Sequence, residues 1–248
     1  KEVLMIVAFL IGRKGSKGFP GKNLFKILGR PLAYYPMKAA IDCADIAKVY
    51  LSTDDEKLER LAVENGVEVI QRPPELCADA ALGEDVFLYM YKKLEEQKGE
   101  KMELVVLLMC NAACVNPAMI SEGIKVLREN PDYDSAVSVS KYNMWSPIRA
   151  RRVGDDGLLH PLVPFEAFGD PNSINCDRDS QGDVWFADMG VSIVRPRCLE
   201  NIQGGLLPQR WMGRKIYPLK HSAGLDVDYE WQIPQVEFWL KKHGFTDK

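Results

Sequence analysis

The residues Val3 to Ile11, VLMIVAFLI, form an unbroken apolar run that stops at Gly12. The run is too short to cross a bilayer, which takes about 20 apolar residues. It ends in Arg13 and Lys14, where a secretory leader would carry small residues before a cleavage site. Lacking period-2 alternation, it suits a strand covered on both faces, as central strands of parallel sheets are. Parallel neighbours require crossover connections, so helices should alternate with strands along the rest of the chain.

They do. Helical spacing runs from Leu32 to Cys43, and KVYLST follows as a short strand. DDEKLERLAVENG opens on acids and closes at Gly66, the charge and glycine signature of a helix. Then come the strand VEVIQ, a Pro-Pro turn, a helix over about Leu82 to Gln97, the strand ELVVLLM, the helix AMISEGIKVLREN and the strand SAVSVS. After Lys141 the pattern breaks. Residues 141–183 are rich in Pro, Gly, Asp and Arg, with a hairpin predicted at Arg151 to Leu159 around GDDG, and we read this segment as an excursion from the sheet. VWFADMGVSIVR returns to the core, and the tail beyond GLDVDYEWQ ends in a helix. The expectation is one domain over residues 1–248, a doubly wound, mostly parallel α/β sheet in three layers, carrying one inserted segment.

Charge narrows the partners. With 32 basic and 35 acidic residues the net charge is −3, which disfavours nucleic acid or an anionic membrane and favours a small ligand or a protein. No later stretch approaches a membrane-spanning length of apolar residues. The six cysteines form no Cys-x-x-Cys pair, and a chain of 248 residues needs no disulfide staples, so a reducing cytoplasm is expected.

Ligands of open α/β sheets bind beyond the carboxyl ends of the strands, so the loop after the first strand is the place to look. That loop, GRKGSKGFPGKN, is dense in glycine and cations. Its glycines at 12, 15 and 18 do not match Gly-x-Gly-x-x-Gly, and no acidic residue follows at a convincing second-strand end, about 20 residues on, as a dinucleotide site requires. Five residues separate Gly15 from Gly21 and Asn23 follows Lys22, so it is not a P-loop either. What remains is a glycine-rich loop whose N–H groups and cations Arg13, Lys17 and Lys22 wrap a nucleoside triphosphate, or else a solvated basic turn.

RKGSKGFPGKNLFKILGRPLAYYPMKAA, VYLSTDDEKLERLAVENGVEVIQRPPELCADAALGEDV and the late GLDVDYEWQ resemble the acylneuraminate cytidylyltransferases, the CMP-sialic acid synthetases, which are related to CMP-Kdo synthetases. The resemblance is dense from residue 5 to 90 and returns at Gly224. It implies transfer of CMP from CTP to an acidic acceptor, with release of pyrophosphate. It implies further that Arg13, Gly15, Ser16, Lys22 and Asn23 hold the triphosphate, with Lys22 and Arg13 in catalytic roles. Arg72, Asp79 and Ala80 would enclose the cytidine. Asp226 and Asp228 lie two apart, which on an extended segment puts both carboxylates on one side. Alone this fits either a hard-cation site or a strand-end turn; the resemblance makes it a Mg²⁺ pair, with Asp226 also catalytic.

The acceptor half departs from the family pattern. Where relatives carry a Gln-Pro-Thr-Ser-Pro-like turn, this chain has Met109 to Cys114, and Met189-Gly190 replaces an Asn-Gly pair. Asn111, Arg149, Arg178 and Gln181 are the acceptor-binding candidates, since guanidinium pairs with carboxylate or phosphonate alike. The acceptor expected is a nonulosonic or ulosonic sugar acid, with a phosphonate or another small acid as the alternative, and a non-catalytic nucleotide-binding protein as the reading from another class. By the same resemblance the chain should form a homodimer that exchanges the excursion. Plainer roles are assigned to Asp54 and Asp55 as a helix start, to the scattered His160, His221 and His243, to Cys110 and Cys114, and to the tryptophans as core or interface residues.

Overall fold

The structure is a computed structural model that describes residues 4–15, 17–78, 80–99 and 101–247. The first strand, β1 (Met5–Ile11), is buried along its middle and stands inside the sheet, with a strand on each side. The chain continues through the small hairpin β2 (Lys26–Ile27) and β3 (Arg30–Pro31), then α1 (Tyr34–Ile41), β4 (Lys48–Thr53), α2 (Glu56–Glu64), β5 (Glu68–Gln71) and α3 (Gly83–Lys98). β6 (Met102–Met109), α4 (Pro117–Glu129) and β7 (Ser135–Lys141) follow. The excursion holds the hairpin β8 (Arg151–Val153) and β9 (Leu159–Pro161); β10 (Trp185–Val194), α5 (Pro196–Glu200), β11 (Ile216–His221) and α6 (Ile233–Lys242) complete the order.

Seven strands make one sheet in the order β11-β7-β10-β6-β1-β4-β5. Every neighbouring pair is parallel except those of β10, which runs antiparallel to both β6 and β7. The mostly parallel sheet expected from the sequence is present, with one reversed strand that follows the excursion. One face is covered by α1, α2 and α4 around Ala8, Leu10, Leu58, Val106 and Ile124; the other by α3, α5 and the turn at Trp211 around Phe9, Phe87, Val105 and Leu199. A third apolar cluster seats α6 against the β2–β3 hairpin through Trp239, Val227, Leu32 and Tyr35. It also fixes where the tail sits relative to the loop after β1. Among the described residues no helix is long and apolar enough to cross a membrane.

Two tail elements went unread in the sequence. β11 is an edge strand carrying Pro218, which an edge tolerates because its missing N–H leaves no ladder bond unmade on the open side. α5 is five residues long and shows no periodicity of its own.

Candidate active site

The carboxyl ends of β1, β4 and β6 open together, and the loop after β1 is tied down where it leaves the sheet. Gly12 N–H donates to Ser52 O at 3.3 Å and Lys14 N–H to Asp54 Oδ1 at 2.8 Å. Asn23, 8 % exposed, donates from Nδ2 to Arg13 O at 3.2 Å and so joins the far end of the loop to its start. Arg72 braces the same corner: Nη2 donates to Ser52 O at 2.6 Å and to Gly12 O at 3.3 Å. Burial pushes its guanidinium below the ordinary value.

The aspartate segment comes to this loop from the other end of the chain. Lys22 Nζ donates to Asp228 Oδ1 at 2.6 Å across 206 positions of sequence. Gly18 marks the closest approach, because a Cβ there would lie 2.6 Å from Asp228 O. Val227, buried among Leu32, Tyr35 and Trp239, anchors the segment, and its N–H donates to Asn111 O at 2.8 Å. Asn111 Nδ2 returns a bond to Val227 O at 3.0 Å and reaches Asp226 Oδ2 at 3.4 Å. The half-buried Asp226 carboxyl is pushed above the usual range by burial and then by the neighbouring Asp228 charge. Two carboxylates held so that one raises the other's pKa suit a divalent cation, which would relieve their repulsion. Among the described residues no group of three or more His, Cys, Asp and Glu forms a closed metal cage.

Between the two segments lies a cavity of about 450 Å³. Charged and polar lining comes from Arg13, Lys17, Lys22, Asn23, Arg72, Asn111 and Asp228; apolar lining comes from Leu76, Ala81 and Leu82 ahead of α3, from Val86 within it, and from Met109 at the end of β6. A cationic end and an apolar end in one cavity match a nucleotide's phosphates and base. Of the predicted nucleotide residues, Arg13, Lys22, Asn23 and Arg72 line it; Gly15 and Ala80 do not, and Ser16 and Asp79 lie outside the described residues. Tyr229 also lines the cavity and stacks on Trp231 with ring centroids 6.1 Å apart. Tyr229 was missed, although its place directly after Asp228 was the available signal.

Of the predicted acceptor residues only Asn111 lines the cavity. Arg149 donates to Cys176 O at 2.8 Å, Arg178 pairs with Asp179 at 2.8 Å, and Gln181 donates to Ser180 Oγ at 3.0 Å, all within the excursion. A single chain does not bring these three to its own cavity. The plainer readings fare as follows. Asp55 caps α2 by accepting from Lys57 and Leu58 N–H, whereas Asp54 holds Lys14. All six cysteines are free, and burial pushes the Cys110 and Cys114 thiols up to about 12, so neither supplies a thiolate at neutral pH.

With this geometry in view, the family model described as Cytidylyltransferase matches residues 7–153, more than half of the chain. The chain belongs to the cytidylyltransferase family. Among its relatives in the family is an N-acylneuraminate cytidylyltransferase of Oncorhynchus mykiss, 24% identical over 235 residues, 93% of this chain and 49% of the relative. Another, from Streptococcus agalactiae serotype V, is 31% identical over 162 residues, 63% of this chain and 37% of the relative. The chain thus spans about half or less of these relatives' length. In fold, the chain is similar to CMP:2-keto-3-deoxy-manno-octonic acid synthetase solved with CTP, at TM-score 0.67 and 18% identity, covering 96% of this chain and 99% of that one. It is also similar to 4-diphosphocytidyl-2C-methyl-D-erythritol synthase of Anaerococcus prevotii, at TM-score 0.62 and 12% identity, covering 96% of each chain.

Proposed function

We propose that the chain is a Mg²⁺-dependent cytidylyltransferase that transfers CMP from CTP to an acidic acceptor of the nonulosonic or ulosonic sugar-acid type. The observation that carries this reading is the Lys22–Asp228 contact, which joins the cationic loop to the aspartate pair across one cavity. An acceptor oxygen attacks the α-phosphorus in line; the new O–P bond forms as the bond from that phosphorus to the bridging oxygen breaks, and pyrophosphate leaves. Arg13 and Lys22 face charge that grows on the departing phosphates, and Lys22 exchanges Asp228 for a phosphate oxygen when the nucleotide binds. Asp226 and Asp228 would hold Mg²⁺, which supplies neutralisation of phosphate charge. Leu76, Ala81, Leu82, Gly83 and Val86, which line the cavity, would flank the base, and Asn111 would meet the acceptor beside the α-phosphate.

The excursion completes the site in a homodimer. No residue from 151 to 186 is buried, yet Val153, Leu158, Leu159, Leu162, Phe168, Trp185 and Phe186 are apolar and exposed. An apolar surface of this kind calls for a cover, and a second copy would bring Arg149, Arg178 and Gln181 to the neighbour's cavity. Pyrophosphate release from CTP, measured against a panel of acidic sugars and phosphonates with and without Mg²⁺, tests the reading. Release with a sugar acid is expected. Release only with a phosphonate would move the acceptor class, and CTP binding without release under any condition would favour a nucleotide-binding role.

A further inference from the structure

Behind the aspartate segment, outside the cavity, lies a second carboxylate. Asp188 on β10 is 4 % exposed. Its Oδ1 accepts from Ser138 Oγ at 2.6 Å and from Gly190 N–H at 3.2 Å, and its Oδ2 accepts from Ser140 Oγ at 2.7 Å. His221 Nε2, at the end of β11, stands 2.5 Å from the same Oδ2, with its N–H off the line of a hydrogen bond. Three strands therefore converge on one buried carboxylate. Burial drives the Asp188 carboxyl up, but the imidazole and the two hydroxyls outweigh this and hold it below the usual range.

The arrangement reaches forward to the aspartates. Ser140 Oγ, while donating to Asp188, accepts from Gly224 N–H at 2.9 Å, and Gly224 lies two residues before Asp226. Tyr142 OH donates to Gly224 O at 2.7 Å and accepts from Gln235 Nε2 of α6 at 2.7 Å, so both polar groups of that peptide position are held. The seat has no slack: a Cβ on Gly224 would lie 2.5 Å from Asp188 Oδ2 and 2.6 Å from His221 Cε1. Around the carboxylate β10 itself bends. Met189 takes φ 62°, a conformation that side-chain-bearing residues rarely adopt, and the pairing with β7 changes register between Ala187 and Ser192. A buried ion is costly unless its partners replace water, and a core needing only packing would use apolar residues at 138, 140 and 188. What requires a fixed polar seat is the turn in front of it, which Ser140 and Tyr142 hold at Gly224 two residues before Asp226.

We propose that Asp188, paired with His221 and acting through Ser140 and Gly224, is a positioning residue that sets the Asp226–Asp228 turn for its divalent ion. This rests on the cytidylyltransferase reading above for the identity of the ligand, though the holding of the turn does not. The test uses the full chain with Mn²⁺ as probe, its binding in the presence of CTP read by electron paramagnetic resonance, together with amide hydrogen exchange. Asp188→Asn and His221→Gln should weaken Mn²⁺ binding about 10-fold or more and raise the metal concentration for half-maximal turnover, with kcat at saturating metal far less affected. Exchange should quicken at 224–229 while β1 and β4 stay protected. Gly224→Ala, which removes no polar group of the cluster but whose Cβ forces the turn off its seat, should reproduce both effects and serves where the buried substitutions fail to fold. Unchanged Mn²⁺ affinity and unchanged exchange at 224–229 in folded Asp188→Asn or Gly224→Ala would overturn the proposal. So would a kcat at saturating metal that falls in step with metal affinity. If the wild-type chain releases no pyrophosphate from CTP, the functional reading fails, and exchange at 224–229 still decides the positioning role.

Discussion

Lys22 and Asp226 show how one residue serves ligand and fold differently. The Lys22–Asp228 pair has one partner 57 % exposed, so solvent screens it and its removal should cost less than about 1 kcal/mol of stability. Lys22→Met should nevertheless lower turnover about 10² to 10³-fold, because its charge faces phosphates that gain charge as the bond breaks. The same variant should bind free Mn²⁺ more tightly than wild type does, since Asp228 loses its cation; weaker binding in electron paramagnetic resonance titrations would contradict the exchange of partners. Asp226 acts in the opposite sense. Its folded pKa is raised, so the protonated form favours folding and the contribution is lost as pH climbs above the ordinary carboxylate value of about 4. Asp226→Asn should therefore be more stable than wild type in urea at pH 7, with the advantage vanishing below about pH 4, while turnover falls at least about 10²-fold. Equal stability at both pH values would refute the assigned strain. Lys22 and the aspartates were legible because their motifs are local. The pair of hydrogen bonds from Arg72 to Ser52 O and Gly12 O was not, since it depends on how two strand ends lie side by side.

At the level of elements, the adjacent acids of STDDEK divide their work. Asp55→Ala should cost about 1 kcal/mol by uncapping α2, measured by thermal or urea unfolding, and leave CTP binding intact. Gly18→Ala should do the reverse. Its Cβ forces the phosphate loop off the Asp228 carbonyl, so turnover should drop by about 10²-fold with the melting temperature little changed. Helices and inner strands could be read directly, because α2, α4, β1 and β6 each declare a period or an unbroken apolar run. The direction of β10 could not, since a buried strand has the same apolar residues whichever way it runs and only the path through the excursion decides. β11 was hidden by Pro218, and the seat at Asp188 by serines that look like ordinary β7 residues until Ser138 and Ser140 are seen to face one carboxylate.

For the whole molecule, the excursion is the part a lone chain does not explain. Sedimentation at micromolar concentration should give a dimer, and Val153→Asp with Leu159→Asp should yield a folded monomer whose CTP binding is kept and whose acceptor KM rises about 10-fold or more. A wild-type monomer would remove the neighbour's arginines from the site. The central claim is narrower: the glycine loop and the distant aspartate turn form one cradle for a metal-bound triphosphate. Isothermal titration of CTP with and without Mg²⁺ tests it most directly. The cradle predicts tight binding only with metal, lost in Asp228→Asn. CTP affinity indifferent both to Mg²⁺ and to Asp228→Asn would contradict it.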